Sequence, residues 1–154
     1  MSTSRYRTSK GAKKVDDKSG DVAEELVNQS GGVAVARLLL PDDSRLLKRT
    51  VIQGLSRPDV DVIVLTGGTG ISTTDVTIET LRPLFEKEIE GFGELFRFVS
   101  FQQIGVAAAL SRATAGIAKK KLIICLPGSP NAVQTGLELF LSEVHHALSL
   151  ARGK

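Results

Sequence analysis

The sequence predicts an α/β fold with a parallel sheet covered on both faces, and three observations carry that prediction. Two short runs, Val60-Asp-Val-Ile-Val-Leu65 and Lys121-Leu-Ile-Ile-Cys-Leu126, are β-branched and apolar almost throughout. Strands buried on both faces have this character. Elsewhere apolar residues recur at helical spacing, as at Leu47, Val51 and Leu55, and again at Val133, Leu137, Phe140, Val144 and Leu148. The two kinds of segment alternate along the chain, the pattern of a parallel sheet with helices on either side.

Each element can be justified in order. Residues 1–16 are polar and basic and read as a loop or arm. Ser19-Gly20-Asp21 leads into a short helix, with Val22, Leu26 and Val27 inward, and Gly31-Gly32 ends it. Residues 33–40 read as a strand stopped by Pro41. A helix starts at Asp43 and closes before Pro58. The strand at 60–65 runs into a glycine turn, and a helix is expected from about Asp75 through 88, kinked at Pro83. A second helical piece falls near 91–98, and 103–118 read as partly helical because they are rich in alanine. After the strand at 121–126, Pro127-Gly-Ser-Pro130 opens the last helix.

Composition bounds the function. The chain of 154 residues suits one domain spanning 1–154, with 42% hydrophobic and 24% charged residues, ordinary for a globular protein. No apolar run approaches the roughly 18 residues of a membrane span, and no apolar secretory segment opens the chain. A single cysteine, Cys125, rules out an internal disulfide and a multi-cysteine zinc site. Cytoplasmic location is the expectation. The net charge of +3 is too small to indicate nucleic acid, and the scarce aromatics are not interleaved with the basic residues. Arg5, Arg7, Lys10, Lys13, Lys14 and Lys18 do cluster. They form either a solvated arm or a contact for an anionic ligand.

In an open α/β sheet, ligands bind beyond the carboxyl ends of the strands. Three strand ends carry distinctive loops: Pro41-Asp42-Asp43, Thr66 to Asp75, and Pro127 to Asn131. The segment Thr66-Gly67-Gly68-Thr69-Gly70 is neither a P-loop nor a dinucleotide fingerprint. It is either a tight strand-to-helix turn or a cradle of backbone N–H groups for phosphate. Asp75 and Asp42 are each either a helix cap or a carboxylate seat for Mg²⁺, which takes one or two carboxylates plus substrate phosphates. Such a cation would offset the repulsion between Asp75 and a bound phosphate. Ser129 caps the last helix, with Pro130 in its first turn, and that helix start also favours anions. Ser111-Arg112 is a helix-end pair or a phosphate contact. His145 and His146 are expected on the surface, and Cys125 as a buried thiol.

Taken together, D-K-S-G-D (17–21), L-L-P-D-D (39–43), T-G-G-T-G (66–70), D-V-T (75–77), G-F-G-E (91–94), L-S-R (110–112) and L-P-G-S-P-N-A-V (126–133) occur in this order. The sequence resembles the molybdopterin adenylyltransferase family of the MogA/MoaB type, which serves molybdenum-cofactor biosynthesis, from about residue 2 to about 150. The resemblance implies a three-layer α/β/α sandwich with a mostly parallel sheet. It also implies binding of molybdopterin and Mg-ATP, and transfer of AMP to the molybdopterin phosphate with release of pyrophosphate. On that basis Asp42 and Asp75 are the catalytic carboxylates and Mg²⁺ ligands. Ser19, Gly20, Thr66, Gly67, Gly68, Thr69, Gly70, Ser111, Pro127, Gly128, Ser129 and Asn131 are the substrate- and nucleotide-binding set. A homotrimer or homohexamer is implied as well. Two alternatives stand beside this: a non-catalytic molybdopterin carrier, and a related CinA-type domain. The sequence departs from the family pattern twice. Family chains usually begin with an apolar strand leading into the loop that Ser2-Thr-Ser-Arg-Tyr-Arg7 matches here. The usual first strand is therefore expected to be missing, through either a start upstream of Met1 or a sheet that tolerates the loss. Ile78 also stands where proline is common.

Overall fold

The computed structural model describes residues 2–5, for their backbone pairing, and 17–154. Six strands form one sheet in the order β2-β1-β3-β6-β5-β4. They are β1 (Ser2–Arg5), β2 (Val33–Arg37), β3 (Val62–Thr66), β4 (Lys87–Glu88), β5 (Thr114–Ala118) and β6 (Lys121–Leu126). The helices are α1 (Lys18–Gln29), α2 (Ser44–Ser56), α3 (Thr77–Leu81), α4 (Glu90–Ile104), α5 (Pro130–Phe140) and α6 (Val144–Ala151).

The two apolar runs behave as expected. β3 and β6 pair in parallel from Val62↔Leu122 to Thr66↔Leu126, and every residue of β3 is buried. Side chains alternate across a strand, and the core divides accordingly. Val62, Val64, Leu122, Ile124 and Leu126 face a layer containing Ala23 of α1, Phe92 and Phe96 of α4, Val133 and Leu137 of α5, and Val144 and Leu148 of α6. Ile63, Leu65, Ile123 and Cys125 face Leu47, Val51 and Leu55 of α2, and Ile78 and Leu81 of α3. The result is the three-layer α/β/α sandwich.

The sheet is mixed. β1, β2, β3 and β6 run parallel, while β5 runs antiparallel to β6 and β4 antiparallel to β5. Four carboxyl ends therefore open on one edge, including those of β2, β3 and β6. β5 and β6 are joined by Lys119-Lys120, both at positive φ (49° and 60°). This is the left-handed geometry that a two-residue hairpin needs.

Several expectations are corrected. Ser2–Arg5, expected to be loop, is a strand held between β2 and β3. Its neighbours on both sides supply the ladder that its polar sequence does not announce. Residues 6–16, with Arg7, Lys10, Lys13 and Lys14, lie outside the described residues. β2 ends at Arg37 rather than at residue 40. The helix after the glycine turn stops at Leu81. Arg82–Leu84 tighten into a 3₁₀ turn containing Pro83, and the chain then gives β4. The span 103–118 holds only the end of α4. Gly105–Leu110 follow as 3₁₀ turns, and Thr114–Ala118 are strand.

Candidate functional site

The glycine turn is tied down from three directions. Gly67 N–H donates to the Leu126 carbonyl (2.9 Å), which fastens the end of β3 to the end of β6. Thr77 closes the turn from the helix side: its hydroxyl donates to the Gly67 carbonyl (2.8 Å) and its N–H to the Gly68 carbonyl (2.9 Å). Gly67 and Gly68 have φ of 91° and 66°, a region that side chains disfavour. A Cβ at Gly68 would also stand 2.3 Å from the Thr77 hydroxyl oxygen. The third tie is Arg112. Its Nε donates to the Thr69 carbonyl and its Nη2 to the Gly70 carbonyl, each at 2.8 Å. Nη1 meets the Glu79 carboxylate. That contact holds Glu79 below the usual carboxylate range and raises Arg112 above the usual guanidinium value.

The other loops converge on this turn. Gly128 lies against Gly67, so that a Cβ at Gly128 would sit 3.2 Å from Gly67 Cα. Ser129 caps α5 by accepting from Ala132 N–H (3.1 Å). Asn131 is exposed and donates to Gln103 Oε1 (3.2 Å). Ser19, buried at the start of α1, donates its hydroxyl to the Gly128 carbonyl (2.5 Å). The neighbouring Gly20 makes room: a Cβ there would fall 2.1 Å from Arg37 Nη2. Arg37 reaches past it to pair with Asp17 (3.0 Å). Asp17 itself caps α1, accepting from Gly20 N–H (3.0 Å).

A cleft beside the glycine turn is lined by Leu40, Pro41, Asp42, Asp43, Thr66, Gly67, Gly68 and Thr77, among others. Asp42 and the glycines thus share one cavity, and Asp42 is exposed within it. The cap of α2 is its neighbour Asp43, whose Oδ1 accepts from Arg45 and Leu46 N–H, both at 2.9 Å. Asp75 is not a helix cap either. The N-cap position of α3 is Val76, and no side chain bonds there. Asp75 Oδ2 instead accepts from Ser72 N–H (3.0 Å), closing a small loop back onto the turn. A Cβ at Gly70 would come within 2.6 Å of that same Oδ2. Among the described residues, no group of three or more His, Cys, Asp or Glu gathers as a metal cage.

Ser111 is half-buried at the end of the 3₁₀ turns, donating its N–H to Ala108 (3.0 Å). Pro127 is half-buried and Thr69 fully buried. His145 and His146 are exposed, and Cys125 is buried, with burial pushing its thiol up to about 12. The structure adds two residues that the sequence did not single out as site groups, Thr77 and Gln103, and it places Arg112, read from the sequence with Ser111 as a helix-end pair or a phosphate contact, on the carbonyls of the glycine turn. Of the two additions, Thr77 had a local signal, its place in D-V-T directly after the glycine turn. Arg112 and Gln103 reach their partners from 43 and 28 residues away, a separation no local pattern encodes.

Comparison with known proteins identifies the family. Residues 1–146 match the family described as a probable molybdopterin binding domain. The chain is 42% identical to a probable molybdopterin adenylyltransferase of Methanocaldococcus jannaschii, covering 99% of this chain and 90% of that protein. It is 43% identical to a molybdopterin adenylyltransferase of Pyrococcus furiosus, covering 93% and 86%. Its fold superposes on a crystal structure of a molybdenum cofactor biosynthesis protein B with a TM-score of 0.92, at 36% identity and 99% and 96% coverage. A match that spans nearly the whole chain in sequence and in fold assigns it: this protein belongs to the family of probable molybdopterin binding domains.

Proposed function

We propose that the protein is a molybdopterin adenylyltransferase of molybdenum-cofactor biosynthesis. It binds molybdopterin and ATP, and the molybdopterin phosphate attacks the α-phosphate of ATP. AMP is transferred and pyrophosphate leaves. The observation that carries this reading is the convergence of Pro41–Asp43, Gly67–Gly70 and Gly128–Asn131 on one sheet edge. They do so in a chain 42% identical to a probable molybdopterin adenylyltransferase over 99% of its length.

The chemistry asks for positioning and charge neutralisation rather than a protein nucleophile. Gly68, Thr69 and Gly70 offer backbone N–H groups at the end of β3, and Gly67, whose own N–H is held by the Leu126 carbonyl, fixes the turn that presents them. Thr66 at the end of β3, Ser19 and Gly20 at the start of α1, Ser111 after the 3₁₀ turns, and Pro127, Gly128, Ser129 and Asn131 where β6 passes into α5 are the remaining residues assigned to the site. Asp42 and Asp75 would hold Mg²⁺. A cation with two protein carboxylates takes its other ligands from phosphate and water, which suits magnesium. When bound, the cation supplies charge neutralisation at the phosphates.

The same reading extends to assembly and location. On α4, Leu95, Phe98, Phe101 and Ile104 recur every three residues, each more than half exposed, and Val106 and Leu110 continue the patch. An apolar stripe of this size supports burial between copies, and a homotrimer or homohexamer is the assembly proposed. No helix among the described residues is long and apolar enough to cross a membrane. The cytoplasm is the proposed site of the reaction.

The test is incubation of the purified protein with molybdopterin, ATP and Mg²⁺, scoring pyrophosphate and adenylylated molybdopterin in equal amounts. Binding of both ligands with no pyrophosphate released would replace the enzyme with a molybdopterin carrier.

A further inference from the structure

We infer that Arg112 is a positioning residue that aims the Gly70 and Ile71 N–H groups at a ligand phosphate. This rests on the phosphate-cradle reading of the glycine turn. The geometry is specific. One planar guanidinium takes two consecutive carbonyls, those of Thr69 and Gly70, at 2.8 Å each. A trans peptide is rigid, and its N–H points opposite to its C=O. No cis peptide bond occurs among the described residues. The Thr69 carbonyl shares its peptide plane with Gly70 N–H, and the Gly70 carbonyl shares its plane with Ile71 N–H. Drawing both carbonyls to Arg112 therefore turns both N–H groups to the far side of the loop.

Those N–H groups are left available. Among the described residues, neither Gly70 nor Ile71 donates its backbone N–H to any protein acceptor. Ile71 itself is 71% exposed. Adjacent N–H groups pointing the same way form an anion-binding concavity. Glu79 sets the clamp from behind: it engages Nη1, so the arginine presents its remaining N–H groups to the two carbonyls rather than to solvent. The excess positive charge is thereby neutralised within the protein. Arg112 acts on the phosphate through the backbone and does not need to touch it. This differs from a direct arginine–phosphate contact, and the difference can be measured.

Lysine keeps the charge of arginine but lacks its planar fork. Arg112→Lys and Arg112→Gln are therefore both expected to fail, whereas a direct ionic role would let lysine rescue activity. With ¹⁵N-labelled wild type, ATP and Mg²⁺ are expected to shift the Gly70 and Ile71 amide resonances. In both variants these shifts are lost, and kcat for pyrophosphate release falls roughly 100-fold, the usual scale for removing a positioned backbone donor. KM for molybdopterin stays within about threefold, since uniform binding is not what is removed. Rescue by lysine, or variants whose amide shifts and kcat match wild type, would overturn the clamp. So would wild-type Gly70 and Ile71 amides that ignore ATP. Amide shifts in wild type without any pyrophosphate release would leave the clamp standing and defeat the transferase reading instead.

Discussion

Asp75 illustrates how a residue changes meaning once its contacts are known. Its carboxylate closes a turn onto Ser72 N–H instead of capping α3. Asn can make the same bond through its side-chain oxygen, so Asp75→Asn is expected to change stability by no more than about 1 kcal/mol, the scale of one such hydrogen bond. Asp42→Asn, at an exposed position, should alter melting still less. If the two carboxylates seat the cation, each variant loses at least about 100-fold in turnover, roughly 2.7 kcal/mol of transition-state stabilisation. Melting temperature and pyrophosphate release on one preparation check both halves. Full activity in both variants would defeat the carboxylate–magnesium proposal. Cys125 offers an independent check at the same scale. Its thiol is lifted by burial from 9.0 to about 12, so the folded protein holds the proton where the unfolded chain releases it. The resulting stabilisation is complete below about pH 9 and is lost as pH rises towards 12. The stability difference between wild type and Cys125→Ala should therefore shrink above pH 9 in denaturant titrations. A thiol reagent at pH 8 should label Cys125 only after unfolding.

At the scale of elements, the hairpin between β5 and β6 spends two lysines on a conformation that glycine and asparagine adopt more readily. Lys119→Asn with Lys120→Gly should stabilise the protein by about 1 kcal/mol, raising Tm by roughly 2–4 °C for a chain of this size. Thermal unfolding measures it, and an unchanged or lower Tm would mean that the lysines offset their strain elsewhere. This hairpin also marks where the sequence became illegible. β3 and β6 announce themselves because strands buried on both faces need continuous apolar residues. β5, Thr114-Ala-Gly-Ile-Ala118, carries small residues because Phe85 lies over it. A Cβ at Gly116 would meet that ring at 2.4 Å. A strand chosen for thinness looks like an alanine-rich helix. β1 is harder still, since Ser2-Thr-Ser-Arg5 has one β-branched residue and owes its form to neighbours about 30 and 60 residues away. The three strand-end loops were legible because strand direction alone sends them to one edge. The Arg112 clamp was not, because it joins positions 42 and 43 residues apart.

For the whole molecule, the site and the exposed stripe on α4 make separable demands. Phe98 and Phe101 are 62% and 56% exposed, so replacing both with Glu should leave the fold of a single chain intact. If the stripe is the contact between copies, the double variant runs as a smaller species in sedimentation, with its circular dichroism unchanged. An unaltered mass would move the contact elsewhere. The placement of β1 has a further consequence for how the molecule is made. β1 takes an interior position in the sheet, but neither of its flanking partners exists when it emerges from the ribosome. β2 follows about 30 residues later and β3 about 60, and β3 in turn waits for residues 121–126 before its outer side is covered. During synthesis the sheet must therefore assemble around β1, and the outer side of β3 stays unpaired until most of the chain has been translated.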